Sequence, residues 1–74
     1  MDVVIDTRGL ACPLPVLKVR KAMRPLAPGT RAEILATDPG AEADFKAYCD
    51  ASGYAFLSAA VLPDGVFRFV IQKF

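Results

Sequence analysis

Cys12 lies in the run Arg8-Gly9-Leu10-Ala11-Cys12-Pro13-Leu14-Pro15, and its thiol carries more chemical potential than any other side chain in the sequence. Proline is tolerated at the first position of a helix, because the amide it lacks would have no intrahelical partner there. The run therefore predicts a helix with Cys12 as N-cap and Pro13 at the first helical position. A thiol caps poorly, and Ser, Thr, Asp or Asn would hold the helix start better. A thiolate is different: it is an anion facing the positive end of the helix dipole and the unpaired amides of the first turn. An ordinary Cys of pKa about 8.5 is only a few per cent ionised at pH 7. Lowering that value by roughly 1.5 units would make about half of it nucleophilic. The expectation is an exposed sulfur in its charged form.

The remaining composition narrows what this sulfur can do. The chain has 74 residues, two Cys and no His. Without His there is no Cys–His pair of the kind that activates protease nucleophiles. Cys12 and Cys49 form neither a disulfide framework nor a Cys-x-x-Cys redox pair. Closely spaced zinc-ligand pairs are absent, so no metal is expected. A thiol peroxidase would need a resolving cysteine, and Cys49 falls on a mid-helix apolar stripe where a core residue belongs. Whatever Cys12 does must rely on backbone amides and cations.

The charges are segregated. Between Thr7 and Ala32 there are six basic residues (Arg8, Lys18, Arg20, Lys21, Arg24, Arg31) and no acidic one. From Glu33 to Asp50 there are five acids (Glu33, Asp38, Glu42, Asp44, Asp50) and one base, Lys46. The first segment reads as a cationic face near the thiol, suited to an acidic partner, or as an ordinary solvated helix face. Net charge is +1, and most aromatics fall on core positions, which argues against a dedicated nucleic-acid binder. No apolar run approaches the roughly 18 residues of a membrane span, and no basic-then-apolar leader opens the chain. Cytoplasmic residence, with no membrane partner, is the expectation.

The elements that position the thiol read in order. Val3-Val4-Ile5, bounded by Asp2 and Asp6, predicts a buried strand. Pro13 to about Arg24 is helical, with Val16, Val19, Met23 and Leu26 facing the core and Lys18, Arg20, Lys21 and Arg24 on the opposite arc. Leu14 and Leu17 point toward that basic arc; they pack under a neighbouring loop or form an exposed docking patch. Thr30–Thr37 alternates as a strand. Asp38-Pro39 predicts a second helix with Asp38 as its cap and Pro39 at its first position. Ala41, Phe45, Tyr48, Cys49 and Ser52 form that helix's stripe, and Gly53 ends it. Tyr54–Leu62 and Val66–Lys73 are strands joined by the turn Pro63-Asp64-Gly65. The order β-α-β-α-β-β in a single domain of 74 residues predicts an α+β fold: a two-layer α/β sandwich, with two helices on one face of a four-stranded mixed sheet.

Asp6-Thr7-Arg8-Gly9-Leu10-Ala11-Cys12-Pro13-Leu14-Pro15-Val16-Leu17-Lys18 resembles the signature of the TusA/SirA-like sulfur-carrier family. Ala36-Thr37-Asp38-Pro39-Gly40-Ala41 and Asp64-Gly65-Val66-Phe67-Arg68-Phe69 resemble it too. The resemblance implies a carrier of sulfane sulfur rather than an independent turnover enzyme. By this resemblance Cys12 takes sulfur as a covalent persulfide, with no other cofactor, from a cysteine desulfurase or rhodanese. It then passes the sulfur to a cysteine on an acceptor protein. Implied destinations are tRNA thiolation, molybdenum cofactor enzymes and sulfur oxidation, with selenium replacing sulfur in some relatives. Members of the tRNA relay can carry an acidic residue between the two prolines, where this chain has Leu14.

Around Cys12, the expected supporting residues are Arg8, Gly9, Pro13 and Pro15. Arg8 either helps bind the persulfide or fixes the loop. Leu14, Leu17, Lys18, Lys21 and Arg24 form the expected docking face. The competing function is a regulatory or protein-interaction module that uses the basic first helix, with the thiol incidental.

Overall fold

The computed structural model describes residues 2–74. Alternating apolar residues and helical stripes fold into β1 (Val3–Thr7), α1 (Leu14–Met23), β2 (Arg31–Ala36), α2 (Ala41–Ser52), β3 (Ala55–Val61) and β4 (Phe67–Gln72). The sheet order is β1-β2-β4-β3. β2 runs parallel to β1, and β4 runs antiparallel to both β2 and β3. The chain thus leaves β2 through α2 and returns as β3, leaving a gap that β4 later fills. The predicted two-layer α+β sandwich is the observed one.

The register explains the core. Ile5, Ile34 and Phe69 share one rung, and Ala32 and Ile71 share the next, all on the face that the helices cover. Val19 and Met23 of α1, with Ala41, Phe45 and Cys49 of α2, complete that core. The Phe45 and Phe69 ring centroids lie 5.4 Å apart, a tilted contact typical of aromatic packing. Pro15 is also buried, while Val16 and Leu26, expected in the core stripe, are half-buried. Lys73 Nζ donates to the carbonyls of Met23 and Arg24 at 2.9 and 2.8 Å, placing a cation at the negative end of α1.

Two expectations are corrected. Val3-Val4-Ile5 is not a buried strand: β1 lies at the sheet edge, and Val4 is 60% exposed on the face that no helix covers. A strand covered on one side only buries alternate residues. At α2, the cap is Gly40 rather than Asp38. Asp38 instead turns back onto the chain, its carboxylate accepting from the Gly40 amide at 3.0 Å, so Pro39 stays outside the helix.

Parallel β1 and β2 place both of the following loops at one end of the sheet. Arg8–Pro13 and Thr37–Gly40 therefore meet there, and both helices start from that end. Gly9 N donates to Thr37 Oγ1 at 2.9 Å and ties the two loops together. Gly9 has φ +81°, a left-handed conformation that a side chain would strain.

Candidate functional site

Cys12 lies at the junction between this loop and α1, exposed and unpaired. It is not the N-cap. Pro13 holds that position, and Leu14 and Pro15 fill the first two helical positions. Residues 11–14 close a turn of their own, with Leu14 N donating to Ala11 O at 2.9 Å. The Cys12–Pro13 peptide within it is cis. This turn delays the helix by one residue and occupies the Leu14 amide. Leu17 N donates to Pro13 O at 3.2 Å, and neither Pro13 nor Pro15 has an amide hydrogen. The thiol therefore does not face a fan of free donors.

The ionisation expectation reverses as well. A hydrogen bond to the Asp44 carboxylate, then loss of solvation, then the negative charges of Asp44 and Asp38 raise the Cys12 pKa above its ordinary value. Each favours the neutral thiol over the anion. Resting Cys12 is thus a protonated, accessible thiol.

An open cleft of about 460 Å³ runs between α1 and α2 beside it. Cys12, Pro13, Val16 and Arg20 line one wall, and Asp44, Ala47, Tyr48, Ala51 and Ser52 line the other. Both walls follow helical spacing: Val16 and Arg20 are one turn apart, as are Asp44, Tyr48 and Ser52. Arg20, assigned from the sequence only to a basic arc, and Asp44, counted only as a charge, are the site residues that sequence reasoning missed. Their shared i, i+4 spacing with Val16 and with Tyr48 was the available signal.

The other expected site residues fall into three groups. Arg8 grips Asp6 with its side chain, Nε to Oδ1 at 2.9 Å and Nη2 to Oδ2 at 2.8 Å. The Arg8 amide donates to the same carboxylate at 3.0 Å. This fork holds Asp6 well below the usual carboxylate range and fixes the turn that leads to Cys12. Lys18 Nζ donates to the Asp6 carbonyl, so α1 is latched to the same turn. Gly9 ties the turn to Thr37, Pro13 caps α1, and Pro15 is buried beneath the first turn. Leu14 and Leu17 are 50% and 49% exposed, and Lys18, Lys21 and Arg24 are exposed beside them.

Cys49 is buried in the core, as its place on the α2 stripe implied. Burial, with the charge of Asp50 adding to it, pushes its pKa up to about 11. Among the described residues no cluster of His, Cys, Asp or Glu could hold a metal ion, and no helix is long and apolar enough to cross a membrane.

A small two-layer sandwich presenting one exposed thiol at the open end of its parallel strands has clear relatives. The family described as Sulfurtransferase TusA matches residues 3–73, and the chain belongs to that family. A candidate sulfur carrier protein of Neisseria meningitidis is 44% identical over 68 residues, covering 92% of this chain and 90% of that protein. The sulfur carrier protein TusA of Allochromatium vinosum is 35% identical over 72 residues, covering 97% and 93%. The crystal structure of a SirA-like protein from Desulfitobacterium hafniense superposes with a TM-score of 0.84 over 95% of each chain, at 24% identity. That likeness shows the shared fold.

Proposed function

We propose that the protein carries sulfane sulfur as a persulfide on Cys12, receiving it from a cysteine desulfurase or a rhodanese and relaying it to a cysteine of an acceptor protein. The observation that carries this reading is the contrast between the two cysteines. Cys12 is exposed at a rigidly latched junction, and Cys49 is sealed in the core. Relatives named as sulfur carriers support it. A relay sulfur has to be reached by two different proteins in turn, which a surface junction allows and a core position forbids.

Because the resting thiol is protonated, loading is a proton-coupled exchange. Sγ of Cys12 attacks the terminal sulfur of the donor persulfide, and the Sγ–S bond forms as the donor's S–S bond breaks. The leaving donor thiolate takes the proton that Cys12 gives up. Sulfane sulfur passes on at the same oxidation level, and no outside oxidant is needed. Unloading is the same exchange with Cys12 as the leaving group. The exposed apolar pair Leu14 and Leu17, flanked by Lys21 and Arg24, is the face proposed to meet both proteins.

The test is intact-mass measurement after incubation with a cysteine desulfurase and cysteine. A gain of one sulfur atom on the wild type, absent in Cys12→Ser, is the expected result. No gain with either class of donor would remove the reading.

A further inference from the structure

We propose that the cleft between α1 and α2 binds a free amino-acid persulfide, of the cysteine persulfide class, and that Cys12 takes sulfur from it directly. This rests on the carrier reading above for what Cys12 does, and goes beyond it in naming a small-molecule donor and its site.

The cleft is built for a short zwitterion that carries sulfur. Its volume of about 460 Å³ falls in the roughly 300–1,000 Å³ range of small-molecule sites. Asp44 and Arg20 bring opposite charges to its lining, and among the described residues neither takes part in an ion pair. Arg20 has hydroxyl company. Arg20, Tyr48 and Ser52 all line the cleft, and the Arg20 charge acts on Tyr48, so a guanidinium and two hydroxyls share this part of it. A guanidinium with neighbouring hydroxyl donors is a fitting receptor for a carboxylate. Asp44 lines the opposite wall nearer the thiol, where it suits the ammonium that such a ligand carries on the same carbon as its carboxylate.

Val16, Ala47 and Ala51 also line the cleft, short apolar side chains that leave width for a methylene and a sulfur. Cys12, Val16 and Arg20 follow one another at four-residue steps along one wall, so about two helical turns separate the thiol's residue from Arg20. Helical side chains lean toward the N-terminus, which shortens the gap between an Arg20 guanidinium and the thiol. The exchange balances: Cys12 Sγ–H and R–S–S–H give Cys12 Sγ–S–H and R–S–H. The Sγ–S bond forms, the ligand's S–S bond breaks, and the Cys12 proton ends on the released cysteine.

The decisive experiment titrates S-methyl-L-cysteine, an unreactive mimic, into the reduced, isotope-labelled full chain and follows amide shifts by NMR. Saturable changes confined to Cys12–Arg20 and Asp44–Ser52 are expected. Binding should weaken by about tenfold or more in Arg20→Gln, the loss of one charged hydrogen-bonded contact. S-methylcysteamine, which lacks the carboxylate, should lose a similar factor. Absence of saturable changes, or equal binding of the two mimics, overturns the proposal. A second arm separates this site from the carrier reading. If a cysteine desulfurase loads Cys12 but S-methyl-L-cysteine does not bind, the cleft proposal fails alone. If cysteine persulfide loads the wild type, Arg20→Gln should raise the half-saturating concentration and leave the maximal loading rate unchanged. An unchanged half-saturation counts against the site.

Discussion

The Asp44 carboxylate, on the first turn of α2, lines the same cleft as the Cys12 thiol and raises its pKa. Helix starts and nearby cations usually activate a cysteine; here a carboxylate from a second helix outweighs them. Alkylation of Cys12 should therefore rise with pH along a curve whose midpoint lies above the ordinary thiol value. Asp44→Asn removes the charge and the acceptor, so its midpoint should move down and its rate near neutrality should increase. Iodoacetamide kinetics against pH measure both. A midpoint unmoved by Asp44→Asn would mean that Asp44 does not govern the thiol.

Cys49 makes a second, separate pH dependence. Its folded pKa of about 11 lies above the ordinary value of 9.0, so the fold favours its protonated form. That contribution is complete below about pH 9 and is lost as pH rises through about 11, roughly 3 kcal/mol in all. Cys49→Ala should abolish this alkaline decline in urea unfolding free energy, at a cost near 1 kcal/mol for the vacated volume. Its sulfur loading at Cys12 should be unchanged.

The loop that presents Cys12 depends on Gly9 and Thr37. Gly9→Ala places a Cβ at φ +81°, with open space around it, so the cost is conformational and about 1–2 kcal/mol. Thr37→Val removes the acceptor of the Gly9 amide at about 1 kcal/mol. Denaturant midpoints measure both losses. Loading rates by a protein donor should fall in each variant, because the sulfur is no longer held in place.

Leu14 and Leu17 are half exposed, so Leu14→Glu with Leu17→Glu should change stability by no more than about 0.5 kcal/mol per site. On the proposed docking face, the same pair should slow loading by a cysteine desulfurase while leaving Cys12 alkylation unaltered. Unchanged loading would show that the donor meets Cys12 from another side.

The element order was legible because Ala32, Ile34 and Ala36 alternate, and because Phe45, Cys49, Val19 and Met23 recur at helical spacing. Those patterns report burial, and burial dominates the fold of so small a chain. Cys12 was legible as an exposed thiol just ahead of a helix, yet the rise in its pKa was not. The thiol's state depends on Asp44, distant in sequence and close only through helix packing. Pro13 misled for a local reason. A turn closed by the Leu14 amide precedes the helix in the chain, so a proline that suits the first helical position lies one residue outside it. Val4 misled because an apolar run reads alike whether one face of its sheet is covered or both.

Site-resolved mass mapping of the sulfur through one full cycle tests the central claim most directly. The protein is loaded with a cysteine desulfurase and cysteine, digested and mapped, then offered a thiol acceptor and mapped again. One added sulfur atom should lie on the peptide containing Cys12 and leave it, mole for mole, when the acceptor is present. Sulfur found on Cys49, or held on Cys12 in the presence of acceptor, would contradict the account.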